Sequence, residues 1–121
     1  MKRIGAGLLG VLLIGVLVGI THSEVVIGIK VSPHVIAMRS QAEWVTVHTT
    51  LRYSLAETST IALNEIPVAL AKADDRGYLV AKFRMEDVRA IIAPPSATLI
   101  LTGMTRDGEP FIGSETVTVK R

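Results

Sequence analysis

The chain has 121 residues, thirteen Lys and Arg against eleven Asp and Glu, five aromatic residues and no cysteine, and 49% of it is hydrophobic. That length admits one domain, and the missing cysteine excludes disulfide staples, a lipid-modified N-terminal cysteine and a cysteine-ligated zinc centre. With Lys2 and Arg3 set apart, eleven cations meet eleven anions in the remainder, each charge standing singly along the sequence, which argues against nucleic acid as a partner.

Much of the apolar excess lies at the start. Lys2 and Arg3 precede Ile4 to Ile20, an uncharged run of Gly, Ala, Leu, Ile and Val. A basic flank followed by an apolar segment is the layout of a secretory signal. Thr21 and Ser23 place small residues for cleavage after Ser23. The alternative is an uncleaved membrane-anchor helix, for which this run of about 25 Å is a short span. Residues 1–23 are therefore expected to be a signal peptide or N-terminal anchor and 24–121 a β-sandwich domain. The protein is expected to be secreted, periplasmic or on the cell surface, meeting membrane only through residues 4–20 if these are retained.

From Glu24 the hydrophobic period becomes two. Val25, Ile27, Ile29 and Val31 alternate with Glu24, Val26, Gly28 and Lys30, as in a half-buried strand that Pro33 interrupts. Val35 to Met38 continues it briefly. Glu43 to Tyr53 alternates again, with Val45, Val47, Thr49, Leu51 and Tyr53 on one side and Trp44, Thr46, His48, Thr50 and Arg52 on the other. Ser54 to Ser59 reads as a polar connection. Thr60 to Leu63 and Ile66 to Leu70 follow as a strand pair or one bent strand, broken at Asn64-Glu65 and flanked by Pro67.

Ala73-Asp74-Asp75-Arg76-Gly77 is a turn, since Asp side chains bond nearby backbone and Gly accepts positive φ. Tyr78 to Met85 is a strand whose Leu79, Ala81 and Phe83 face alike. Glu86 to Ile92 is one helical turn, stopped by Pro94 and Pro95. Ala97 to Thr105 and Phe111 to Val119 form a hairpin, joined through Asp107-Gly108. About seven short strands at this spacing indicate an all-β sandwich.

Several of these stretches together resemble a known kind of module. Ile27-Gly-Ile-Lys30 with Pro33 and Ile36, Val45-Thr-Val47, the Ala73 to Gly77 turn, and Thr98-Leu-Ile-Leu-Thr-Gly103 with Asp107-Gly108, Phe111 and Gly113-Ser114 are similar to small Ig-like β-sandwich modules of secreted and cell-surface proteins of bacteria and archaea. The resemblance covers most of Glu24 to Val119 and implies an Ig-like fold and an extracellular setting. Such modules often carry a calcium loop, but here adjacent Asp74 and Asp75 project apart and Arg76 adds a positive charge.

The residues point away from catalysis and from cofactors. His22, His34 and His48 lack metal-ligand spacing, and no Gly-x-Ser-x-Gly elbow surrounds any serine. Asp74, Asp75, Glu86 and Asp87 fall where acids form turns and caps. Trp44, His48 and Arg52 share one strand face and make a candidate interaction surface with Ile100, an outward residue of a threonine-rich hairpin. The plainer expectation for Trp44 is burial at the sandwich edge. Val25, Val26 and Ile27 are a candidate edge strand for pairing with another chain.

The function expected is a non-catalytic structural or adhesive module acting on another cell-surface or secreted protein. The alternatives are a carbohydrate-binding module that stacks sugars on Trp44, Tyr53 or Tyr78, and a small exported enzyme or inhibitor.

Overall fold

Period-two stretches become strands because alternate side chains reach opposite faces of a sheet. A computed structural model describes residues 24–121, so the expected leader lies outside the described residues. Ten strands appear in order: β1 Val25–Val26, β2 Ile29–Ser32, β3 Val35–Ala37, β4 Trp44–Arg52, β5 Ala56–Leu63, β6 Ile66–Pro67, β7 Leu70–Ala73, β8 Tyr78–Arg84, β9 Ser96–Thr105 and β10 Pro110–Lys120. One five-residue helix, α1 Met85–Arg89, follows β8 and tucks Met85 and Val88 against the core.

The strands form two sheets. One has the order β2-β4-β8-β7; the other runs β1-β10-β9-β5-β6, with β3 also paired to β10. Seven of these strands carry the architecture, and β1, β3 and β6 are short additions. If the seven (β2, β4, β5, β7, β8, β9, β10) are lettered A to G, the sheets read A-B-E-D and G-F-C. That is the strand order of an immunoglobulin-like sandwich. Phe83, Leu79, Val45 and Val47 on one sheet meet Phe111, Leu99, Leu101 and Leu63 on the other, all fully buried.

The first strand departs from its sequence reading. Its alternation is kept, since Ile27, Ile29 and Val31 are buried while Val26 is 79% exposed. However, the chain changes sheets twice: β1 and β3 pair in parallel with β10, whereas β2 between them pairs antiparallel with β4. Gly113 on β10 makes the crossing possible. A Cβ there would stand 2.7 Å from Ile29 Cγ2 and 2.9 Å from the Ile27 carbonyl oxygen. Next to it, the Glu115 carboxylate accepts a hydrogen bond from the Val31 amide at 2.7 Å and lies 3.7 Å from His34 Nδ1.

Ser54 to Ser59 is a second departure. Only Tyr53–Leu55 form a turn, and β5 begins at Ala56. Its alternation is hidden by a bulge: Thr102 of β9 pairs with Ala62, but Met104 pairs with Glu57. The Thr60 hydroxyl fills the gap, accepting from the Met104 amide at 2.8 Å and donating to the Glu57 carbonyl at 2.6 Å. The expected strand Ile66 to Leu70 is likewise divided: β6 stops at Pro67, and β7 starts at Leu70 in the other sheet.

At the β5–β6 turn, Asn64 and Glu65 both have positive φ, 46° and 73°. This is the conformation of a two-residue hairpin loop that favours Asn-Gly. Two opposite changes in stability are expected, read as shifts in the urea midpoint. Gly113→Ala forces Ile29 or the β1–β2 backbone to move and lowers stability by about 1–3 kcal/mol. Glu65→Gly removes the left-handed strain and raises it by about 1 kcal/mol.

Candidate functional site

Register on the β2-β4-β8-β7 sheet lines up its outward residues in rows. One row runs Lys30, His48, Val80, Lys72 across all four strands. The next runs Ser32, Thr46, Lys82, Leu70. Beyond these, Trp44 faces Arg84 at one end of β4 and Arg52 faces Tyr78 at the other. Val80 is 2% exposed yet stands outside the apolar core between the sheets. It forms a floor between the flanking side chains.

Over that floor lies an open groove of about 610 Å³. Thr46, His48 and Lys82 border it on one side, Lys72 on the other, and the Asp74–Arg76 turn at its end. A smaller hollow of about 230 Å³ sits on the far side of His48, between Lys30 and Thr50. His48 thus divides two depressions on one face. Lys30, Lys72 and Lys82 make no ion pair with an acid among the described residues.

The turn at the end of the groove is firmly built. Asp74 Oδ1 accepts from the amides of Arg76 and Tyr78 at 2.8 and 2.9 Å, and the Gly77 amide donates to the Asp74 carbonyl at 2.9 Å. Gly77 takes φ 88°, where a Cβ would be strained. β4 braces the loop from behind: Arg52 Nη1 donates to the Arg76 carbonyl at 3.1 Å and the Tyr53 amide to the Gly77 carbonyl at 2.9 Å. The Tyr78 and Arg76 amides hold the Asp74 carboxyl below its ordinary range against the opposing effect of desolvation.

The aromatic rings of this face carry cations. The Arg84 guanidinium lies 5.0 Å and the Lys82 ammonium 6.0 Å from the Trp44 ring centre, and Arg52 stands 5.1 Å from that of Tyr78. Arg84 also reaches Glu43 at 3.6 Å. Trp44 is half-buried on the outer face and is not part of the core, so the expectation that it folds inward at the sandwich edge does not hold. Its strand phase decides this, because Val45 and Val47 already take the inward positions.

The remaining sequence candidates lie elsewhere. Ile100 is on the opposite sheet, beside Ser114, and shares no face with Trp44, His48 and Arg52. Val25 and Val26 pair on one side with Phe111 and Ile112, and the Ile27 amide donates to the Ile112 carbonyl at 2.9 Å. Of the β1 side chains, Val26 points into solvent.

Lys30, Lys72, Lys82, Val80 and Arg84 were not singled out from the sequence. Phase alone turns Lys30, Lys82 and Arg84 outward, opposite Ile29, Ala81 and Phe83. Their meeting on one face depends on strand order, which no local pattern encodes. Six of the eleven cations after residue 23 (Lys30, Arg52, Lys72, Arg76, Lys82 and Arg84) gather there, so charges spaced singly in the sequence are clustered in space. Among the described residues no three His, Cys, Asp or Glu side chains group as metal ligands, and no helix is long and apolar enough to cross a membrane.

Two solved structures are similar to this chain. One is a bacterial immunoglobulin-like domain from the M. primoryensis ice-binding adhesin, 22% identical with a TM-score of 0.47, the match covering 80% of this chain and 98% of that one. The other, solved for structural insight into host cell surface retention of a 1.5-MDa bacterial ice-binding adhesin, is 18% identical with a TM-score of 0.41, covering 88% of this chain and 34% of that one. No family model matches, and neither does any curated protein.

The Asp74 turn gives a pH signature. A carboxyl held low in the folded state contributes stability that is complete above its unfolded value of about 4 and is lost as pH falls through the folded one. Between pH 5 and pH 3 the urea midpoint of the wild type is therefore expected to fall further than that of Asp74→Asn. Equal falls would show that the carboxylate contributes nothing to the turn.

Proposed function

We infer that the protein is a non-catalytic extracytoplasmic module, structural or adhesive, that works by surface contact through the outer face of its β2-β4-β8-β7 sheet. One observation carries this reading: that face gathers Trp44, His48, Arg52 and a groove floored by Val80, with unpaired lysines around it. The outer face of the other sheet presents Thr98, Ile100, Thr102, Thr116 and Thr118, uncharged β-branched side chains that strand propensity accounts for. Residues 1–23 direct export and leave the domain of residues 24–121 outside the cytoplasm, released or tethered.

Sugar stacking on open aromatic faces finds less support. Trp44 and Tyr78 lie at opposite ends of β4, about 27 Å apart by strand rise, and each ring has a cation over it. Tyr53, the third ring considered, packs against the core.

Photocrosslinking in the native host separates a working face from an idle one. A crosslinker replacing Thr46 is expected to capture an envelope component, and one replacing Thr116 on the opposite sheet to capture none. The reverse pattern would move the contact surface to the threonine face. In the same samples, intact mass tests export: a form beginning near Glu24, or a full-length form in the membrane fraction, fits it, whereas full-length protein in the cytoplasm does not.

A further inference from the structure

The geometry points to an acidic polysaccharide as the occupant of this face, a carboxylate-bearing glycan chain lying in the groove over Val80, held there by Lys72 and Lys82 and reached by Lys30 from the smaller hollow beyond His48. This rests on the reading of that face as the contact surface and adds the chemical class of the partner.

Charge complementarity carries the inference. Lys30 and Lys72 end the same cross-sheet row, roughly 14 Å apart across three strand spacings. Lys82 lies one row along, beside Thr46. None of the three is paired with an acid among the described residues, though Lys82 stands 6.0 Å from the Trp44 ring centre, whereas Arg52 and Arg84 are engaged within the domain. Arg52 holds the turn, Arg84 meets Glu43 and Trp44, and Arg76 shares its loop with Asp74. The acids nearest the groove are Asp74, whose carboxylate is taken up by backbone amides, and Asp75 beside it at the rim. Two ammonium groups at the open trough and a third beyond His48, none neutralised by an acid, suit separated negative charges on a flexible chain. Thr46, Ser32 and His48 between them offer hydroxyl and imidazole groups to sugar hydroxyls.

Three other polyanionic or surface partners fit the face less well. The centre of a protein–protein interface is depleted in lysine, and here Lys72 and Lys82 line the groove while the one tryptophan lies beneath Arg84 and Lys82. Single-stranded nucleic acid needs open aromatic faces on which bases stack, and these rings are covered by cations. A planar anionic membrane would meet Asp75 together with Lys72 and Lys82, since all three line the same groove.

The test titrates the full chain with polygalacturonate, with dextran as its neutral counterpart, with a single-stranded DNA oligonucleotide, and with phosphatidylcholine–phosphatidylglycerol vesicles. Polygalacturonate is expected to bind, dextran not to, and raising salt from about 0.05 to 0.5 M to abolish the binding by screening. Lys72→Glu combined with Lys82→Glu is expected to weaken binding by at least about tenfold. Lys120→Glu combined with Arg121→Glu makes the same charge change away from the groove and is expected to leave it within about twofold. Far-UV spectra of both double variants confirm that they fold.

The proposal is overturned if polygalacturonate fails to bind at low salt. Equal weakening by the two double variants would also overturn it, as would tighter binding of the oligonucleotide, or tighter vesicle binding that the Lys72→Glu, Lys82→Glu pair abolishes and that therefore does not come from residues 4–20. If the polymer fails to bind while a crosslinker at Thr46 still captures an envelope protein, the glycan is wrong and the contact face stands. If both fail, the face itself is wrong.

Discussion

The structure depends on one crossing. Without cysteine, nothing covalent ties the two sheets together beyond the chain itself, and each sheet can hide its apolar face only against the other. The segment from Val25 to Ala37 supplies a stitch by pairing first with β10, then with β4, then with β10 again. Each change of sheet threatens to leave backbone amides buried and unpaired, a cost comparable to a lost hydrogen bond. Gly113 admits the crossing chain, and the Glu115 carboxylate receives the Val31 amide that would otherwise face the strand's open side. A glutamate in the inward phase of β10 would be anomalous in a sheet packed all along its length. At this crossing it substitutes for a missing strand.

The arrangement of function follows from that packing. Once Val45, Val47, Leu79, Ala81 and Phe83 are committed inward, the alternate residues of β4 and β8 must face solvent. Trp44 is turned outward by the same rule despite its size, and it recovers part of its burial beneath Arg84 and Lys82. The β7–β8 connection lines the groove with Asp74, Asp75 and Arg76. Asp74 and Gly77 fix that loop, and Arg52 braces it from β4. The strands therefore supply the floor and walls of the groove, and a hydrogen-bonded turn supplies its end.

Strand phase was legible in the sequence and strand partnership was not. Alternation alone turns Trp44, His48 and Arg52 to one side and Thr98, Ile100 and Thr102 to one side of another strand. Whether those two sides belong to the same face is decided by contacts between residues far apart in the chain, and so Ile100 was grouped with a surface it does not share. The same nonlocality hid the cationic face, because Lys30, Lys72 and Lys82 come from three separate strands. The bulge of β5 escaped for a different reason. Thr60 replaces a backbone partner with its hydroxyl, which permits four polar residues in a row, Glu57 to Thr60, where a regular strand would alternate. Turns were better read, since Asp74, Gly77 and Gly108 act within a few residues of themselves.

The pairing on the cationic face is not what stability alone would choose. Opposite charges placed directly across two strands contribute roughly 0.2–1 kcal/mol, and like charges there are unfavourable. Here each strand cation faces a neutral or aromatic partner: Lys72 faces Val80, Lys82 faces Thr46 and Leu70, Lys30 faces His48, Arg84 faces Trp44, and Arg52 faces Tyr78. The arrangement avoids lysine–lysine and lysine–arginine repulsion at every register position, so the cations can share a sheet face. It also forgoes the ion pairs that acids at Thr46, Val80 or Leu70 would have provided. A face built for the domain's own stability would take those pairs; one that keeps its ammonium groups spaced and unneutralised holds them available for negative charge from another molecule.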